Sequence, residues 1–315
     1  MDIENRVCKI LGIKYPVIQG AMQWISDSSL VAAVSQAGGL GVLATADMDK
    51  EFIRSEIRKI RSLTDKPFAV NIAMLSKTVK ETFEVATEEK VPFVVTAAGN
   101  PAPYLPMLQE AEVPFFSVVA TVKQAVKMEQ MGACLIVAEG QESGGHIGEM
   151  TSMALIPQVA SGIKVPIVAA GGIADGRGMA AAFMLGAEGI QMGTIFLTSN
   201  ECSAHKDFKQ AIVSADSGNV VVTGRRIYSA VRCLDNDLTK SLRELDDRCA
   251  KKEEYYELSV GASYRAAREG DLINGSIMAG QIVGLVDCEQ SVSNIIQNIV
   301  SGYNNLRLCL PELPS

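Results

Sequence analysis

A histidine set among glycines is the first feature of this chain that could do chemistry. Residues 134 to 148 read Cys-Leu-Ile-Val-Ala-Glu-Gly-Gln-Glu-Ser-Gly-Gly-His-Ile-Gly: an apolar run, one acid, then a glycine-dense loop. The run is too short for a core helix and lies between Gly132 and Gly140, so it is expected to be a strand buried on both faces, with His146 on the loop that follows. Gly140, Gly144, Gly145 and Gly148 let the main chain take positive φ and lie close against a flat ligand. An imidazole titrates near neutrality, and Glu139 is an acid where a buried strand does not ordinarily leave one unpartnered. Taken alone, the Gly-Gly-His turn reads equally well as a solvated surface loop, and Glu139 as an acid that bonds a cofactor hydroxyl or simply pairs with a neighbouring side chain.

Other run ends carry groups of the same kind. The first apolar run ends Gln19-Gly20-Ala21-Met22, with small residues that a planar ring could lie against, and the third ends Val70-Asn71-Ile72, where Asn71 offers both a donor and an acceptor. The seventh run, from Pro166, ends Ala170-Gly171-Gly172, and the eighth ends Gln191-Met192-Gly193-Thr194. In parallel barrels the loops after strands seven and eight commonly form a phosphate cup from main-chain N–H groups and a helix N-terminus, which points to a phosphorylated cofactor. The plainer reading is that these glycines only allow close packing. Met22, Met192 and Met278 are expected at the barrel mouth and Trp24 at its border, while His205 is expected to face solvent. The sequence Gly176-Arg-Gly178-Met-Ala-Ala181 matches a dinucleotide fingerprint, but it does not follow its strand directly and has no acid at the required distance.

The elements that must position these groups follow a rhythm. Eight apolar runs begin near Pro16, Gly39, Pro67, Pro92, Pro114, Ala133, Pro166 and Ala187, in steps of 19 to 33 residues. Helical spacing fills the gaps: Leu30, Ala33, Val34 and Ala37 recur behind a cap at Asp27 or Ser28, and the same grammar returns from Thr121 to Gly132 and from Asp175 to Gly186. Repeated strand–helix units with continuously apolar strands predict an α/β protein, a (β/α)₈ TIM barrel over residues 1–199. From Asn200 the rhythm stops. Residues 200–274, with a long polar helical pattern from Leu238 to Leu258, are expected to form a small inserted helical subdomain over the mouth. Residues 275–315 are expected to return to the barrel and end in an outer helix.

At 315 residues and 48% hydrophobic, the chain can bury such a core. A net charge of -7 without a basic block argues against a general nucleic-acid binder, and no apolar stretch is long enough for a membrane helix. Seven cysteines without a Cys-x-x-Cys pair suggest neither a zinc site nor a disulfide framework, and fit a cytoplasmic protein without metal.

Together the motifs resemble a known family. Gln19-Gly-Ala-Met22, Asp65-Lys-Pro-Phe68 with Val70-Asn-Ile72, Ala98-Gly-Asn-Pro101, Ala138-Glu-Gly140 with Gly144-Gly-His-Ile-Gly148, Ala170-Gly-Gly-Ile-Ala-Asp175, Gln191-Met-Gly-Thr194 and Ser276-Ile-Met-Ala-Gly-Gln281 are similar to those of the flavin-dependent enoyl-acyl-carrier-protein reductase II and nitronate monooxygenase family. The resemblance implies FMN at the C-terminal mouth. Gly20, Ala21, Met22 and Asn71 would meet the ring, and Glu139, Gly144 and Gly145 the ribityl chain or ring. Gly171, Gly172, Gly193 and Thr194 would form the phosphate cup, with Ala170, Gln191 and Met192 as further cofactor contacts. His146 matches the family's active-site histidine and Met278 a substrate-pocket residue. Glu139, where monooxygenases usually carry Gln, and the Ser276–Gln281 segment resemble the reductase branch. Ala21 and Ala97 depart from its usual glycines, and Arg226-Ile-Tyr-Ser229 replaces a stretch that often holds histidine. The implied reductant is NADH or NADPH, and the implied partner is an acyl carrier protein, with a homodimer allowed. That partner is acidic, and between Gly224 and Lys252 eight Lys/Arg face five Asp/Glu. The rivals are oxidation of nitroalkanes with dioxygen and a barrel that only binds a phosphosugar or nucleotide.

Overall fold

The computed structural model describes residues 5–227 and 229–307; Tyr228 of the Arg226–Ser229 stretch and Cys309, one of the seven cysteines, lie outside them. Eight parallel strands form its centre: β1 (Val17–Gln19), β2 (Gly41–Ala44), β3 (Phe68–Ala73), β4 (Phe93–Ala97), β5 (Phe115–Val119), β6 (Ile136–Glu139) and, after a two-residue strand β7 (Gly145–His146) that pairs elsewhere, β8 (Ile167–Ala170) and β9 (Gly189–Met192). Neighbours pair in the order β1-β9-β8-β6-β5-β4-β3-β2. The last gap closes at the bridge between Ile18 and Leu40, where Leu40 N donates to Val17 O at 2.9 Å and Gln19 N to Leu40 O at 3.0 Å. The chain is therefore a (β/α)₈ barrel, and its eight strands begin within three residues of the apolar runs read from the sequence.

Two apolar layers hold it. Alternate strand residues such as Ile18, Val42, Val95, Phe116 and Val137 fill the interior together with Val7 and Leu11 of α1 (Arg6–Leu11), so the N-terminal end of the barrel is plugged. The opposite faces of the strands pack on α2 (Ser28–Gln36), α3 (Lys50–Leu63), α4 (Val79–Glu88), α5 (Leu105–Glu110), α6 (Val122–Gln130), α7 (Ser152–Gly162) and α8 (Gly176–Met184). The expected caps are in place: Asp27 Oδ1 accepts from Ser29 and Leu30, Thr121 Oγ1 from Gln124, and Asp175 Oδ1 from Arg177 and Gly178.

After β9 come α9 (Lys206–Val213), β10 (Val220–Thr223), β11 (Val231–Leu234), α10 (Asp237–Asp247), α11 (Lys252–Ser259), α12 (Ala262–Tyr264) and finally α13 (Val292–Arg307). This region departs from the sequence expectation in two ways. It is not purely helical, because β10, β11 and β7 form an antiparallel sheet in the order β10-β11-β7. The polar helical pattern is also two helices, since Cys249 takes φ 49° and turns the chain between α10 and α11. His205, expected to face solvent, is half-buried and caps α9, its Nδ1 accepting from Asp207 N at 3.2 Å.

α13 lies against α8 and α2 on the outside of the barrel. Here the dinucleotide-like glycines have their structural use: a Cβ on Gly176 would stand 2.2 Å from Tyr303 N and 2.4 Å from Gly302 C. The two helices cross with main chain against main chain. Gly176→Ala is expected to destabilise the protein by ~1–3 kcal/mol, read as a lower midpoint of chemical denaturation; an unchanged midpoint would contradict this packing.

Candidate functional site

In a parallel barrel all strand C-termini reach the same rim, and with the other end plugged a ligand can enter only there. The rim encloses a cavity of about 1050 Å³, lined from every barrel strand end and from the region after β9. The residues the family resemblance implies line it: Gly20, Ala21, Met22, Asn71, Glu139, Gly144, Gly145, His146, Ala170, Gly171, Gly172, Gln191, Met192, Gly193, Thr194 and Met278, whereas Gly140 and His205 do not. Trp24 lies at its border, edge-on to Tyr264 with ring centroids 5.0 Å apart.

The loops after β6 and β8 are tied to one another by a knot of short contacts. Glu142 turns both carboxylate oxygens to Ser152 N, at 2.9 and 3.0 Å, and so supplies the cap that Thr151 does not give α7. The Ser152 hydroxyl lies 2.9 Å from Glu142 Oε2, 2.9 Å from Gly171 O and 3.2 Å from Ala170 O. Gly171 takes φ 92°, and a Cβ there would stand 2.8 Å from Gly140 O. On the other side, a Cβ on Gly144 would lie 2.6–2.8 Å from Ala279 and Gly280 main-chain atoms, Gln281 N donates to Glu142 O at 2.9 Å, and Gly280 N donates to Thr194 Oγ1 at 2.9 Å. The glycine loop is thus clasped between the β8 loop and the returning segment 276–281.

The sheet outside the barrel then aims the histidine. Val231 pairs with His146 and Arg232 with Gly145, and on the same edge of β11, beyond the end of β7, Cys233 bridges to Met278; β10 takes the other edge. His146 is therefore on a short strand and not on a free loop. Its imidazole is open to the cavity and backed by protein; burial pulls its pKa below the ordinary value, which favours the neutral ring near pH 7. Among the described residues no side chain hydrogen-bonds that ring.

Glu139 sits at the end of β6 with its Oε1 accepting from Ser143 Oγ at 3.0 Å. Its carboxyl reaches water only through the cavity, and burial pushes its pKa up to about 7 against the weaker opposing pull of the Ser143 bond. The neighbouring side chain it pairs with is thus a neutral hydroxyl; among the described residues no cation bears on it. Gly171, Gly172, Gly193 and Thr194, the expected phosphate cup, all line the cavity. The helix after β8 adds nothing to such a cup, because Asp175 already occupies the first amides of α8.

Sequence reasoning missed Glu142, Ser143 and Arg232. Their signal was weak: Glu142 and Ser143 lie inside the glycine loop without a motif of their own, and the burial of Arg232 follows from a pairing across 87 residues.

The fold, the open rim and the groups around it are those of a flavin-dependent oxidoreductase. The chain belongs to the nitronate monooxygenase family, whose profile matches residues 4–89 and 76–302. It is 30% identical to a probable nitronate monooxygenase of Staphylococcus saprophyticus, across 97% of this chain and 99% of that protein. Among solved structures it is similar to FabK from Thermotoga maritima, with 41% identity, a TM-score of 0.94 and coverage of 98% of this chain and 100% of the other. It is also similar to a nitroalkane oxidase from Streptomyces ansochromogenes, with 25% identity, a TM-score of 0.86 and coverage of 97% and 100%.

Because the native state holds a proton on Glu139 that the unfolded chain releases, stability should fall as pH rises from 4.5 to about 7 and be level above that, as far as this group is concerned. Glu139→Gln keeps the shape and removes the charge. Thermal melts of the flavin-free protein should then show a gain of about 2–5 °C at pH 8 and little change at pH 5; a loss at pH 8 would mean that the ionised carboxylate is stabilising.

Proposed function

We propose that the protein is an FMN-dependent enoyl-acyl-carrier-protein reductase. The observation that carries this reading is the 41% likeness over essentially the whole chain to FabK, the enoyl-acyl-carrier-protein reductase II, against 25% to the nitroalkane oxidase. The carboxyl group at position 139 and the size of the cavity support it. At about 1050 Å³ the cavity exceeds the ~300–1000 Å³ of a pocket for one drug-sized ligand, which leaves room for a second ligand beside a flavin.

In this reading the main chain at Gly171, Gly172, Gly193 and Thr194 holds the phosphate, and Glu139 and Gly144 meet the ribityl chain. Gly20 to Met22 and Asn71 border the ring, while Gly145, Ala170, Gln191 and Met192 complete its bed. When bound, FMN supplies a group that accepts hydride from NAD(P)H and donates it to the β-carbon of a trans-2-enoyl thioester. His146 polarises the thioester carbonyl or hands a proton to the α-carbon, so that one hydride and one proton saturate the double bond. Met278 lines the substrate side. Trp24, Tyr256 and Val260 border the mouth and keep water from the reacting atoms.

A second reading is favoured by the family profile and by the names of the curated relatives: His146 takes the α-proton of a nitroalkane and dioxygen replaces the enoyl substrate. Consumption of NADH or NADPH with crotonyl thioester, run beside oxygen uptake with a nitroalkane, separates the two. The proposal expects the first and little of the second; the reverse would overturn it. His146→Ala should lower turnover by roughly a hundredfold while flavin stays bound, and loss of the flavin would instead make His146 structural.

A further inference from the structure

We propose that Arg232 is a positioning residue for His146: it fastens the glycine loop between β6 and β7 to β11, and thereby sets the register that aims the imidazole at the cavity. The observation is a buried cation with no carboxylate of its own. Arg232 is 5% exposed, its Nη2 donates to Gln141 O at 2.9 Å, and its buried Nε has no hydrogen-bond partner among the described residues. Glu142, the acid whose field reaches it, turns both oxygens to Ser152 N, and the like charge of Arg225 opposes it. An arginine held so is a poor source of stability, since replacing a buried charge by an apolar side chain of similar volume is often neutral or favourable.

Its place explains its retention. The ladder that carries His146 is only two pairs long, Val231 with His146 and Arg232 with Gly145, extended by Ile147 N donating to Ala230 O at 3.0 Å. Such a short ladder holds its register weakly, and a slip of one residue turns every side chain to the other face. The Arg232 bond to Gln141 lies outside the ladder and on the same loop, so it blocks the slip. The same edge of β11 carries on past β7 to the segment that holds Met278, where Cys233 bridges to Met278 and Leu234 N donates to Ile277 O at 2.8 Å. One strand therefore spaces His146 from Met278, and Arg232 locks it.

The inference rests on the proposed function only in taking His146 as the proton-handling group. The test uses the flavin-loaded protein with Arg232→Met and Arg232→Lys, each alone and combined with His146→Ala. Arg232→Met should melt at or above the wild-type temperature and keep its flavin, yet lose ~10-fold or more in kcat with KM within ~2-fold. Arg232→Lys should recover part of the loss. In the His146→Ala background the same Arg232→Met change should alter kcat by less than ~2-fold, because the group it positions is gone. An equal loss in both backgrounds, or a loss that follows a fall in melting temperature or flavin content, would overturn the inference. If the wild type turns over the nitroalkane and not the thioester, the proposed function fails, and the same cycle run on the nitroalkane decides the role of Arg232 separately.

Discussion

A closed parallel barrel must bring all its strand ends to one rim, and in this protein the rim is stripped of side chains where a ligand would be gripped. Gly20, Gly144, Gly145, Gly171, Gly172 and Gly193 all border the cavity. Main chain exposed in this way has fixed donors and acceptors but no side chains to close the space, so the rest of the structure must hold it open. Two devices do so. The Glu142–Ser152 knot ties the β6 and β8 loops together, and the 276–281 segment wedges against Gly144.

Chemistry enters from outside the barrel wall. The imidazole of His146 reaches the cavity because β7 leaves the barrel and joins β11, so the small antiparallel sheet, and not a barrel strand, sets its direction. This arrangement couples the region after β9 to the reacting centre. Further contacts join that region to the barrel across the mouth: Trp24 against Tyr264, and Lys77 Nζ 3.3 Å from the hydroxyl of Tyr256. The glutamate and the histidine are both pushed by burial toward their neutral forms.

Most of the barrel was legible because its signals are local. A proline or glycine before each apolar run, and caps at Asp27, Thr121 and Asp175, act within one turn of chain. The rim residues followed from the barrel rule that loops after strands share one face, so groups as distant as Gly20 and Thr194 could be placed together before any contact was known. What escaped was nonlocal. The pairing of Val231 with His146 joins residues far apart in sequence through a two-residue strand that has no periodicity to detect, and Gly145-His146 reads as loop. The turn at Cys249 needs a left-handed residue that is neither glycine nor asparagine, so one helical pattern concealed two helices. The dinucleotide-like glycines could be rejected from sequence, but their true use, the crossing of α8 and α13, needed the contact with Gly302.

The central claim is that main-chain groups at the ends of β8 and β9 grip the phosphate of a flavin. The direct measurement is the affinity of the flavin-free protein for FMN beside riboflavin, which has the same ring and ribityl chain without the phosphate, followed by quenching of flavin fluorescence. Charge-assisted bonds from two or more amides are worth about 1.5–3 kcal/mol each, so FMN should bind ~100-fold more tightly or better. Equal affinities for the two would contradict the account.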